Sequence, residues 1–436
     1  MNILIKNVDI LTCDKDNEFI KSGSIGIKDG IIDFVASDGQ DISGFKADRI
    51  IEGKHRIAMP GLVNTHTHAA MTLLRNYGND LALEEWLFDK IFPAEAKLTP
   101  DYVYWGTMLG VCEMIKSGTT AFADMYYYMD EVARVVSESG IRANICKAAF
   151  KYSPDSESKM KDIRDDCIRY YKEWNNHANG RIKVWVEIHS VYLYDADSLE
   201  KAAALAKELN TGIHIHILET QKEVAQSIQM YGMTSVETCE KYGVLDVPVL
   251  AAHCVHLSDK DMEIFKKKNV SVAHNPTSNL KLGSGIARVP YMLEKGINVA
   301  LGTDGTASNN NLDMFEEMNL AALIHKGVNM NPQLVSAGEA IRMATVNGAK
   351  AIGFGNETGC IKKGMKADLI LLDTDKPHFY PMNDVFASIV YAAKSSDVDT
   401  VIVDGKILME NRELKTIDEE KAKYMTKAAS EKILGL

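Results

Sequence analysis

The chain has 436 residues, 46% hydrophobic and 25% charged, which is the make-up of a globular enzyme and excludes a disordered tail, a collagen-like repeat or a coiled coil. Its 49 basic and 60 acidic side chains leave a formal charge of −11, and without a basic block it is poorly equipped to grip nucleic acid or an anionic membrane. Seven scattered cysteines, odd in number and without a CxxC, indicate reduced thiols and a cytoplasmic location instead of a disulfide framework.

In chain order, the first segment alternates too early and carries charge too often for a signal peptide. No apolar run reaches the roughly 18 residues that a membrane span needs. Residues 2–12 and 24–36 alternate apolar and polar side chains, with Asp29-Gly30 as a turn between short strands. From about residue 58 to 355 the texture changes, and short apolar runs alternate with helical patterns. Strands are predicted over 61–67, 119–124, 143–149, 183–190, 212–218, 249–253, 271–275 and 298–303. Helices are predicted over 100–117, 198–209, 221–230 and 313–326, and the charged segment 151–176 reads as a solvated helix. The strand texture returns in 367–373 and 400–409, where Asp404-Gly405 is a strong hairpin signal. Eight strands with helices between them predict an α/β fold, a closed (β/α)8 TIM-type barrel over 58–358. Neither end has enough strands for a core of its own, so residues 1–57 and 359–436 are predicted to assemble one small β-sandwich.

The sharpest local signal is Asn64-Thr65-His66-Thr67-His68 at the end of an apolar run. On a strand, residues two apart point to one face, so both imidazoles can reach one site. His189, His216, His253 and Asp304 fall at the ends of other predicted strands, where barrel enzymes build their active sites. Neutral imidazoles with a carboxylate suit a single divalent metal, zinc first, with iron or manganese also compatible. No strand-end lysine asks to bridge two ions as a carbamate, which favours one metal. His214, His256, His274 and His325 are expected in the core, and His55, His177 and His378 at the surface or in linkers.

The motifs Met59-Pro-Gly-Leu-Val-Asn-Thr-His-Thr-His68, Gly118-Thr-Thr-Ala-Phe-Ala-Asp124, His214-Ile-His-Ile-Leu-Glu-Thr220, Ala252-His-Cys-Val-His256, Asn275-Pro-Thr-Ser-Asn-Leu-Lys-Leu-Gly283, Gly302-Thr-Asp-Gly-Thr-Ala-Ser308 and Gly359–Asp368 span nearly the whole chain. They resemble the amidohydrolase superfamily and, within it, the 5-methylthioadenosine/S-adenosylhomocysteine deaminases. The resemblance assigns His66, His68, His216 and Asp304 to the metal. It sets His253 beside the attacking water and Glu219 opposite the ring nitrogen next to the leaving amine. Trp86 resembles the family's aromatic contact and Glu95 its ribose-binding carboxylate, while His189 and Ser308 match substrate-side positions. By local pattern alone, Glu219 would be a helix N-terminal carboxylate, Trp86 a packing residue, Glu95 a surface helix charge and Ser308 a polar loop residue.

Two departures concern the sulfur-side substituent. Family members that take S-adenosylhomocysteine carry arginines after the third barrel strand for its carboxylate; here Lys147 stands nearby, a point charge instead of a planar fork. The family's His-Ala-Pro-Tyr reads His189-Ser-Val-Tyr192. The resemblance implies hydrolytic deamination of an adenine nucleoside, with Glu219, His253 and Asp304 as catalytic residues and Trp86, Glu95, Lys147, His189, Glu219, Asp304 and Ser308 around the substrate. General acid–base help of this kind contributes about 10²–10⁴-fold. The expected partner is a small nucleoside; assembly into a homo-oligomer is left open. Competing readings are a related amidohydrolase acting on another amine or halide (a guanine or cytosine deaminase, an s-triazine chlorohydrolase) and a non-catalytic barrel.

Overall fold

The computed structural model describes residues 1–15, 18–81, 85–148 and 160–435. The chain begins with β1 (Ile3–Leu11), β2 (Phe19–Lys28), β3 (Ile31–Ala36), β4 (Arg49–Glu52) and β5 (Arg56–Pro60). It then enters eight strands: β6 (Leu62–Thr67), β7 (Thr119–Asp124), β8 (Arg142–Ala148), β9 (Ile182–Ser190), β10 (Ile213–Ile217), β11 (Val249–His253), β12 (Ser271–His274) and β13 (Asn298–Leu301). Four more complete the set, β14 (Leu369–Asp373), β15 (Val398–Val403), β16 (Lys406–Glu410) and β17 (Glu413–Leu414).

Strands β6 to β13 pair in chain order, each parallel to the next. Strands β6, β7, β10, β11 and β12 are buried along their whole length, which is why they read as near-continuous apolar runs. The open edges of β6 and β13 are drawn together by polar bonds. Thr65 Oγ1 donates to Leu301 O at 2.8 Å, Asn64 Nδ2 to Thr303 Oγ1 at 2.7 Å, and Asp304 N to His66 O at 2.9 Å. The sheet therefore curls into a near-closed barrel. Ala121, Ala123, Ala252, Ala273 and Ala300 keep its interior narrow, and Trp185 and Phe354 belong to the same apolar cluster.

All eight predicted barrel strands are present, and the four predicted helices appear as Pro100–Lys116, Ala196–Glu208, Gln221–Tyr231 and Met314–Asn329. The charged segment forms a helix over Met160–Trp174; its predicted part 151–159, and residue 149 of the predicted third strand, lie outside the described residues.

The terminal strands form one sheet in the order β17-β16-β15-β14-β5-β1-β2-β3, with β4 parallel to β1. The two ends of the chain meet where β5 pairs antiparallel with β14. Both hairpin turns have two residues with positive φ, Asp29 (51°) and Gly30 (82°), then Asp404 (50°) and Gly405 (70°), the signature of a tight primed turn. A Cβ on Gly30 would meet Asp404 O at 2.7 Å, and one on Gly405 would meet Gly30 Cα at 2.6 Å. The two turns thus press tip to tip, and only glycine permits the contact. They help to close the terminal sheet over its own core, which includes Ile3, Ile5, Ile25, Ile27, Leu369, Leu371 and Ile402. No described helix is long and apolar enough to cross a membrane.

Candidate active site

His66 and His68 leave the C-terminal end of β6 on one face. Their Nε2 atoms lie 3.5 and 3.3 Å from Oδ1 of Asp304, which follows β13. His216, on β10, joins them: ligand atoms of His66, His68 and His216 lie within 4.8 Å of one another, and so do those of His66, His253 and Asp304. The remote nitrogen of each ring is held. His68 Nδ1 meets Met125 O at 2.6 Å, His216 Nδ1 meets His189 O at 2.7 Å, and His66 Nδ1 meets His214 Nε2 at 3.0 Å. Rings that donate through Nδ1 present a bare Nε2 lone pair.

Burial pushes His66 down to about 3 and His216 well below its ordinary value, so both are neutral. Burial opposes the charge on Asp304, but its neighbours, His68 and His253 among them, outweigh it and hold the carboxyl well below the usual range. Its Oδ2 accepts from Ser278 Oγ at 2.7 Å and Ser308 Oγ at 2.9 Å, and its Oδ1 from Gly305 N at 2.7 Å. His66 Nε2 is buried with no hydrogen-bond partner. Facing lone pairs around a carboxylate repel unless a cation lies between them, so this donor set fits a divalent metal ion.

The cluster forms one wall of a cleft at the C-terminal end of the barrel. Trp86, Glu95, Tyr126, Glu187, His189 and Glu219 line the rest, with apolar surface from Met71, Leu87, Phe92 and Leu282. His253 Nδ1 meets Asn279 Oδ1 at 2.8 Å, which turns its Nε2 toward Glu219 Oε2 at 3.9 Å. Burial lowers the His253 ring, but the carboxylates Glu219 and Asp304 outweigh it and raise it overall. Ser284 Oγ donates to Glu219 Oε1 at 3.1 Å. Burial raises Glu95 to about 7, while the Tyr126 hydroxyl, donating at 2.7 Å, restrains the shift. Burial lowers His189 to about 4.

Two residues expected at the substrate, Lys147 and Ser308, are not among those that line the cleft. On β8, Cys146 packs into the barrel interior, with its Sγ 3.6 Å from His214 Nδ1. Strand alternation therefore turns Lys147 outward. Its ammonium pairs with Asp166 at 2.9 Å and sits over the Tyr170 ring, in the lining of a neighbouring depression that also includes Asp130, Glu131 and two residues of the cleft, Glu95 and Tyr127. Ser308 lies behind Asp304, bonded to the carboxylate instead of facing the cleft.

The sequence reading missed Ser278, Asn279, Glu187, Tyr126 and Glu223. Ser278 and Asn279 lie within the motif that begins at Asn275, so their signal was present. His214 is in the core as expected, and there it orients His66.

The model of the amidohydrolase family matches residues 57–408. The 5-methylthioadenosine/S-adenosylhomocysteine deaminase of Acetivibrio thermocellus is 62% identical over 435 residues, covering 100% of both chains. The 5'-deoxyadenosine deaminase of Methanosarcina barkeri is 47% identical, covering 99% of this chain and 98% of the relative. Among solved structures, an adenosine deaminase from Xanthomonas campestris with bound zinc superposes with a TM-score of 0.95 at 30% identity, over 100% of this chain and 99% of that one.

Proposed function

We infer the activity from one premise, that the chain belongs to the amidohydrolase family: it is a metal-dependent deaminase that converts the adenine ring of 5'-methylthioadenosine, S-adenosylhomocysteine or adenosine to the inosine analogue and ammonia. The observation that carries this reading is the convergence of Glu219, His253 and Asp304 on one cleft that also contains the buried carboxyl of Glu95 and the indole of Trp86. The relatives named as deaminases of methylthioadenosine and 5'-deoxyadenosine support the substrate class.

His66, His68, His216 and Asp304 would hold one divalent ion, for which three imidazole nitrogens and one carboxylate favour zinc. Once bound, such an ion acts as a Lewis acid that acidifies water near neutral pH. The remaining chemistry falls to side chains. Water adds to the purine C6 as Glu219 passes a proton to the adjacent N1, so that the ring accepts the electron pair. Asp304 takes the proton given up by the water and hands it to the exocyclic nitrogen, the C6–N bond breaks with release of ammonia, and the proton left on the C6 oxygen returns to Glu219. His253, aimed by Asn279, orients the nucleophile and faces the oxygen that develops on C6. Trp86 stacks on the base, and Glu95 accepts from the two ribose hydroxyls.

The test is a panel of methylthioadenosine, S-adenosylhomocysteine, 5'-deoxyadenosine and adenosine, followed by the adenine-to-hypoxanthine absorbance change and by ammonia release. Turnover of at least one nucleoside by metal-loaded protein is expected. No turnover of any of them overturns the substrate reading. Elemental analysis of the purified protein is expected to return about one zinc per chain.

A further inference from the structure

Glu219 stands on a bend that its backbone does not favour. The preceding Leu218 is a non-glycine residue with φ of +51°, in the left-handed region that branched side chains avoid. The bend turns the chain out of β10 and points the Glu219 carboxylate at His253 and Ser284. One side chain holds it. Glu223 Oε1 accepts from Leu218 N at 2.8 Å, and Glu223 Oε2 accepts from Glu219 N at 2.8 Å. Ser235 Oγ adds a third donor to Oε1 at 3.3 Å. Glu223 is 3% exposed, and its own N–H meets the Thr220 hydroxyl at 3.3 Å at the start of the helix Gln221–Tyr231. From the opposite side, His256 N donates to Leu218 O at 3.0 Å.

The chemistry of this clamp is specific. Two adjacent backbone N–H groups need two acceptor oxygens on one planar group, which a carboxylate supplies. An amide of the same shape sets an NH2 against one of those donors. Glu223 itself is not among the residues that line the cleft or form the metal-ligand cluster.

We propose that Glu223 is a positioning residue for the deamination: it pins the Leu218–Glu219 bend so that the Glu219 carboxyl stays beside His253, where it can serve the ring nitrogen. This role rests on the deaminase reading above. It predicts that Glu223 acts on turnover only through Glu219, which distinguishes it from a residue that merely supports the fold.

The experiment is a double-mutant cycle on the full-length, metal-loaded protein with methylthioadenosine. Glu223→Gln is expected to lower kcat by about 30-fold, with KM within about threefold and metal content unchanged. In the Glu219→Gln background the same substitution is expected to change kcat by less than about twofold, because the group it positions is already gone. Leu218→Gly, which tolerates positive φ, is expected to recover part of the Glu223→Gln loss. The same fold-loss in both backgrounds, or no loss of kcat, overturns the proposal. If Glu223→Gln does not fold, Ser235→Ala removes only the third donor and runs the same cycle, with an expected loss of about threefold. A wild-type protein that releases no ammonia from any nucleoside overturns the deaminase reading and this role together; wild-type turnover with additive losses overturns the role of Glu223 alone.

Discussion

Glu95 is a carboxyl that would ordinarily be ionised far below neutrality, yet burial raises it to about 7, with the Tyr126 hydroxyl as the main opposing influence. If it receives the ribose hydroxyls, it does so as a carboxylate, and its protonation is visible in the kinetics. A hydrogen bond to a charged acceptor contributes about 1.5–3 kcal/mol. Glu95→Gln keeps one acceptor and turns the other into a donor, so kcat/KM for methylthioadenosine should fall about 10–100-fold near pH 8. The sign with pH follows from the raised value. Above about 7 the wild-type carboxylate is intact; as pH falls through that point it gains a proton, and KM should climb about tenfold per further unit. The amide has no such proton, so the gap between the two proteins should be widest near pH 8 and close toward pH 6. Initial rates by ultraviolet absorbance across that range, at constant ionic strength, are the assay. A variant equal to wild type near pH 8, or a gap that does not narrow on acidification, refutes ribose recognition by this carboxyl.

Asp304→Asn should abolish turnover and leave the purified protein depleted of metal, since it removes the only anionic member of the four-residue set; full metal content with retained activity would contradict the assignment. His214→Leu takes away the acceptor for His66 Nδ1 and should weaken metal retention by about 10–100-fold in a chelator competition, whereas unchanged retention would mean that His66 needs no such support. Lys147→Ala should change kcat/KM for methylthioadenosine and S-adenosylhomocysteine by the same factor, because the ammonium is engaged with Asp166; a loss confined to S-adenosylhomocysteine would show that the lysine reads its carboxylate.

The barrel was legible because of its burial. Strands enclosed on both faces appear as short apolar runs, and the helices between them keep the solvated period. The metal-ligand candidates were legible because histidines two apart on such a run must share a face. The orientation of Lys147 was not legible, since Ile145, Cys146, Ala148 and Ala149 flank it with apolar residues on either face, and alternation without polarity does not say which face is inward. The interior position of Cys146 in the described structure settles that question. Ser308 was identified as polar and near the site, but whether it faces substrate or braces Asp304 depends on the loop after β13, for which periodicity gives no rule.

The largest hidden component is backbone conformation at the strand ends. Leu218, His253 and Asp304 have φ of +51°, +69° and +65°, and none is glycine, so residue type gave no warning. Each such position costs on the order of 1–3 kcal/mol and persists only where its surroundings hold it. The bonds that do so are local and nameable. Glu223 clamps Leu218, Cys254 N donates to Ile217 O at 3.0 Å just after His253, and Asp304 N donates to His66 O. These corners turn the chain off the strand axis at the three places from which Glu219, His253 and Asp304 reach into the cleft. A strand continued with ordinary dihedrals would carry those side chains along the barrel wall instead. The strain is therefore tied to the chemistry, and relieving it at Leu218 by glycine, with Glu223 intact, should stabilise the bend only if the hydrogen bonds, and not the side chain, define its direction.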